Sequence, residues 1–206
     1  MRNLWPLLQS DYQKFGQLLK ASWFLVVVPL AITLLIGPAF FISFIILIYA
    51  STVLMGNADE RCGGQFLLAS FPVERTTIVT SRYLQSLFNL LIIVATTTAL
   101  SQISFKLYAL LGHPQMEVAA GSMAAVLLVV GLLYTAIALP LNICFSATKA
   151  RYFNIILYVA LFCFINPIST MHPFLENAWF IGVPIVVIFV LSYLICLIWY
   201  RKKQYL

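Results

Sequence analysis

The chain has 206 residues, of which 63% are apolar and 9% charged, and its formal net charge is +6. Soluble domains hold about 45–50% apolar and about 25% charged residues, and a chain this short cannot bury such an excess. The composition excludes a soluble enzyme, a disordered regulator and a nucleic-acid-binding domain, and it places the chain in a membrane.

Residues 1–20 are mixed in polarity, so no cleavable signal is expected there. Leu4, Trp5, Leu8, Tyr12, Phe15 and Leu19 recur at three- and four-residue steps, with Asn3, Gln9, Gln13 and Gln17 on the opposite side. This pattern predicts a helix lying in the membrane interface, with Trp5, Tyr12 and Phe15 at headgroup depth. It acts either as a simple anchor or as an elbow that also braces a partner.

A bilayer core about 30 Å thick needs roughly 20 apolar residues in helical form. The apolar run over 21–56 is nearly twice that and is punctuated by Gly37-Pro38, which predicts two short spans at 21–37 and 39–55. Further spans are expected at 83–105, at 118–139 ending near Pro140, at 152–166 stopped by Pro167, and at 178–200. The fold class is therefore all-α: a single polytopic transmembrane domain over 1–206, with an interfacial helix, spans 1–2 over 21–56, one large loop over 57–82, and spans 3–6 over 83–206. Pro29 and Pro184 stand inside spans and are expected to kink them.

Eleven of the twelve Lys and Arg residues fall on one side of this arrangement, and Lys106 alone falls on the other. By the positive-inside rule both termini are cytoplasmic. No span carries a charge near its middle, which counts against ion-coupled transport. Cys62, Cys144, Cys163 and Cys196 have no paired spacing and are expected as free thiols. His113 and His172 stand in separate loops, so no metal site is expected.

The loop over 57–82 carries most of the chemistry outside the spans. Asp59, Glu60 and Arg61 form a charged cluster, Gly63-Gly64 allows a sharp turn, and 65–71 is a short helix candidate bearing Gln65, Phe66, Leu67, Leu68 and Phe71. Pro72 breaks it, and Glu74-Arg75 begins the helix that runs into the third span. So much apolar surface must be covered, either by the chain's own helix ends and the headgroups or by a groove on another protein.

Within the spans, Ala120, Gly121, Ala124 and Ala125 form small-residue pairs suited to close helix packing, within the chain or between copies. Asn89, Thr96, Thr97, Thr98, Ser101 and Gln102 in the third span either bond to neighbouring helices or line a pathway. Asp59-Glu60 is the one adjacent carboxylate pair and no histidine stands on its side, so an intramembrane enzyme is disfavoured.

The order Asp59-Glu60-Arg61, Ser70-Phe71-Pro72-Val73-Glu74-Arg75, Ile78-Val79 and Arg82-Tyr83-Leu84 resembles the small six-helix subfamily of bacterial ABC-2 type transporter permeases. Leu139-Pro140-Leu141 and Lys149-Ala150-Arg151-Tyr152-Phe153 extend the resemblance. Phe71 and Glu74 depart from the Leu and Ser usual in that family. The resemblance implies a type V exporter-like fold and a permease in the bacterial cell membrane, not itself an enzyme. It implies that a separate ABC ATPase binds Asp59, Glu60, Arg61, Gln65, Phe66, Leu67, Phe71, Pro72, Glu74 and Arg75, with ATP and Mg held by that partner and no cofactor on this chain. It also implies a second permease subunit, identical or similar, and export of a hydrophobic or amphipathic substrate such as a peptide. The sequence itself lacks the GxxxxGK[ST] phosphate loop. The alternative is an immunity or structural membrane protein that binds a toxin without turnover.

Overall fold

The structure, a computed structural model, describes residues 9, 12, 13, 16, 20, 23–35, 40–61, 75–111, 120–145, 147–170 and 178–202. Among them the elements are helices: α1 (Phe24–Leu35), α2 (Phe40–Arg61), α3 (Arg75–Leu110), α4 (Ala120–Cys144), α5 (Ala147–Thr170) and α6 (Ala178–Lys202). No strand occurs among the described residues. The chain is an all-α membrane protein. Three stretches are long and apolar enough to cross a bilayer: Thr76–Leu110, Ala120–Cys144 and Gly182–Tyr200. Val26–Leu35 and Phe40–Thr52 are apolar but shorter. Upstream, Gln9, Tyr12, Gln13, Gly16 and Lys20 are all helical. Gln9, Gln13 and Lys20 are exposed, while partial burial pushes the Tyr12 phenol above its ordinary range. Trp5 and Phe15 lie outside the described residues.

α4 is the hub: 56% of its apolar window is buried, against 28% for α3 and 17% for α6. It packs on α2, α3, α5 and α6. Lipid supplies no hydrophobic driving force between helices, so close packing and hydrogen bonds must hold them. Close packing peaks at Gly131, where an added Cβ would overlap Leu90 Cδ1 and lie 3.1 Å from Phe44 Cζ and 3.3 Å from Ile48 Cδ1. Leu90, Phe44 and Ile48 are themselves buried and have little room to yield. The small-residue pairs lie earlier in α4: Ala124 packs against the core, while Ala120 and Gly121 are exposed in the single chain, and a Cβ on Gly121 would meet nothing within 4 Å. Gly131→Ala is therefore expected to destabilise the bundle by about 1–3 kcal/mol through overpacking. Gly121→Ala should be neutral or slightly stabilising, because alanine is the better helix former. Thermal unfolding of the two variants in detergent checks the contrast.

The hydrogen bonds explain where helices end and where they do not. The last carbonyls of α1 have no partner in their own helix. Ser104 donates to Leu34 O at 3.2 Å and Tyr108 to Leu35 O, so α3 caps α1. Pro29 lies inside α1 and Pro184 inside α6, and Thr33 donates back to Pro29 O at 3.0 Å.

Pro140 does not end the fourth span; α4 continues to Cys144. A proline at 140 leaves the carbonyl of residue 136 without its helical donor. Ser192 of α6 supplies one, donating to Ala136 O at 2.5 Å. Pro167 likewise does not stop α5, which reaches Thr170.

Candidate functional site

α3 begins at Arg75, at the exit of the large loop, as the Pro72 and Glu74-Arg75 signals predict. It is 36 residues long, or about 54 Å at 1.5 Å per residue. A bilayer core is about 30 Å thick, so one continuous helix links the loop to the far side of the membrane.

Of the residues expected at the partner-binding loop, Gln65, Phe66, Leu67, Phe71, Pro72 and Glu74 lie outside the described residues. Asp59, Glu60 and Arg61 fall in the last turn of α2, and Arg75 in the first turn of α3, by backbone alone. The loop thus joins the ends of two long helices.

The described part of this region is the first third of α3 and what it packs on. Ile78, Val79 and Tyr83 form one buried cluster with Leu139 of α4 and with Cys196 and Tyr200 of α6. Tyr83 stands edge-on to Phe189 and Tyr193, with ring centroids 5.5 and 5.2 Å apart. Its hydroxyl lies 2.9 Å from Ser192 Oγ. Since the Ser192 proton goes to Ala136 O, Tyr83 donates to Ser192. One turn nearer the loop, Thr80 and Tyr193 hydroxyls meet at 2.9 Å. Thr80 is half-buried while Tyr83 and Ser192 are buried. The chain Tyr83–Ser192–Ala136 ties α3 to α6 and α6 to the proline break of α4.

Sequence reasoning did not single out this joint. A tyrosine and a serine 109 residues apart carry no mutual signal, although Pro140 in an apolar run marked one end of it. The thiols of Cys144 and Cys196 were expected to be free and unrelated in spacing. Neither forms a disulfide, and Cys144 packs against the cluster that holds Cys196. Two more polar links tie the bundle: Thr52 and Tyr134 at 3.0 Å between α2 and α4, and Asn154 donating to Asn142 Oδ1 at 2.9 Å between α5 and α4.

The polar residues of the third span divide. Asn89, Thr97, Thr98 and Ser101 are buried within the bundle. Ser101 donates to Thr98 O at 2.8 Å and reaches Met123 Sδ at 3.1 Å. The exposed Thr96 satisfies itself on Ile92 O at 2.8 Å. Thr97 and Thr98 hydroxyls have no hydrogen-bond partner among the described residues. Among the described residues no three of His, Cys, Asp and Glu come together.

Among the described residues, one long helix leaves the loop, and a buried polar link near its start ties it to two other helices. A family model described as ABC-2 family transporter protein matches residues 7–201 of the chain. No curated protein and no solved structure matches it.

Proposed function

We propose, for a chain that belongs to the ABC-2 family of transporters, that it exports a hydrophobic or amphipathic substrate with the energy of ATP hydrolysed on a separate subunit. The chain is the membrane permease of an ABC transporter, a transport subunit that pairs with an ABC ATPase. The observation that carries the proposal is a match over nearly the whole chain, joined to a sequence that lacks any phosphate-cradling loop. A permease of this kind must recruit its ATPase.

The loop over 57–82 is the element proposed to do so. Phe66, Leu67 and Phe71 seat in a cleft of the partner, and Asp59, Glu60, Arg61, Gln65, Glu74 and Arg75 set the register around them, with Pro72 turning the chain into α3. ATP and Mg are held by that partner. Two permease subunits, identical or similar, enclose the pathway in the plasma membrane, each with six spans and both termini in the cytoplasm. A peptide is the proposed substrate class, as the family resemblance implies.

Affinity purification from native membranes, followed by identification of the copurifying chains, tests this reading. The expected result is a P-loop ATPase recovered with the permease. The rigorously separated permease is expected to hydrolyse no ATP. Vanadate-sensitive turnover by the permease alone, or its recovery without any ATPase, would overturn the proposal.

A further inference from the structure

We infer that the Tyr83–Ser192–Ala136 chain is a latch at a built-in hinge of α4, and that α3 operates it. The transmission half of this inference rests on the reading above, in which the loop before α3 receives the ATPase.

The argument starts from Pro140. In an unbroken helix the amide of residue 140 would donate to the carbonyl of residue 136, and proline has no such amide. α4 is therefore articulated between Ala136 and Pro140, and an unmet carbonyl in a dry interior is costly. Ser192 meets it from α6 at 2.5 Å. A serine has one proton, so once it is given to Ala136 the serine oxygen is open to a donor. Tyr83 fills that role from α3 at 2.9 Å. Each bond makes the next one geometrically possible, and the three atoms belong to three different helices. Ala136 is 3% exposed and Tyr83 4%, so no water competes for these bonds while the helices stay packed.

Position gives the latch its handle. Tyr83 lies eight residues, about 12 Å, from the start of α3 at Arg75. A displacement of that end, delivered through the loop, moves the tyrosine hydroxyl directly. Losing Tyr83 weakens Ser192, and losing Ser192 frees the hinge. The Thr52–Tyr134 link also hangs on a helix that meets the large loop, but it closes no proline break.

Cys196 is a native reporter. It is fully buried, one turn from Ser192, in the cluster that contains Tyr83. N-ethylmaleimide reaches it only when α6 parts from α3 and α4. Cys62, which the sequence places in the loop outside the spans, provides the internal reference.

The experiment uses the full permease in lipid nanodiscs, with labelling of each cysteine followed by mass spectrometry. Ser192→Ala is expected to raise Cys196 labelling about tenfold over wild type, the equivalent of about 1.4 kcal/mol in the opening equilibrium. In a Pro140→Ala background the restored amide at position 140 meets Ala136 O, so Ser192→Ala is expected to have little effect. Thr52→Val, which removes a buried hydrogen bond outside the latch, should leave Cys196 labelling unchanged. The complex with its ATPase is then compared with and without ATP and vanadate. Wild type should gain Cys196 labelling on trapping, and Tyr83→Phe should lose that nucleotide dependence while still binding the ATPase.

Wild-type labelling of the Ser192→Ala variant, or an equal rise with and without the Pro140→Ala substitution, overturns the latch. A complex that forms normally but shows no nucleotide-dependent change at Cys196 overturns the transmission and leaves the transporter reading intact. If no ATPase copurifies at all, the transporter reading fails and the transmission role falls with it.

Discussion

Replacing Phe66 or Leu67 by alanine is expected to lower capture of the partner ATPase about 30-fold, with membrane insertion unchanged. A buried aromatic or aliphatic anchor at the centre of an interface is worth roughly 2 kcal/mol or more, and 1.4 kcal/mol is a factor of about ten. Both side chains stand in the loop over 57–82, outside the apolar stretches that form the spans. Their loss should therefore cost the bundle little. Glu60→Ala separates two cases. A solvated rim charge changes capture slightly, and a charge desolvated against a partner arginine changes it as much as Phe66 does. The measurement is pull-down of the ATPase by each variant at matched membrane abundance. Full binding and full transport by both alanine variants would mean that the loop covers its own apolar face. The case for ATP-driven transport would then stand on family membership alone.

Three long apolar stretches, Thr76–Leu110, Ala120–Cys144 and Gly182–Tyr200, were legible because their signal is local. An apolar run of the right length needs no knowledge of distant residues. The errors fall where a distant residue rescues a local violation. Pro140 reads as a terminus until Ser192, bonded 56 positions away at Ala136, supplies the missing donor. The small-residue pairs at 120/124 and 121/125 put Ala124 against the core, but the tightest approach among the described glycines is at Gly131, a lone glycine whose neighbours Leu90, Phe44 and Ile48 come from two other helices. Periodicity marks which face of a helix is small, and only the packing decides which small residue another helix uses. The polar residues of α3 follow the same logic. Ser104 and Tyr108 look like isolated hydroxyls in sequence, and they are caps for α1 some 70 residues earlier. The candidate loop drew attention through its apolar content between charges, and Gln65, Phe66, Leu67, Phe71, Pro72 and Glu74 lie outside the described residues.

The second large effect is all-or-none. In a background without native cysteines, Ser169→Cys is expected to react with a membrane-impermeant maleimide added to intact cells. Gln204→Cys is expected to react only after permeabilisation. The basis is the distribution of charge: eleven of twelve basic residues lie on one face of the proposed topology, and Lys and Arg near span ends resist translocation. The helices add a measure of depth. Arg82 and Lys106 both lie on α3, 24 residues and so about 36 Å apart along the axis. That separation places one cation at each headgroup layer of a core about 30 Å thick, and Lys106 is exposed, free to extend toward water. In the proposed topology α3 crosses with its Arg75 end among the basic loops and its Leu110 end on the opposite side. In the same topology α4 returns, and α5 begins beside Lys149 and Arg151 on the basic side. Residue 169, near the far end of α5, then emerges where Lys106 does, and residue 204 follows Arg201 and Lys202 at the basic end of α6. Labelling of position 204 in intact cells, with position 169 protected, would invert the chain. It would put the loop over 57–82 on the side of the membrane that has no ATP, and the proposed engagement of an ATPase by Phe66 and Leu67 would be impossible.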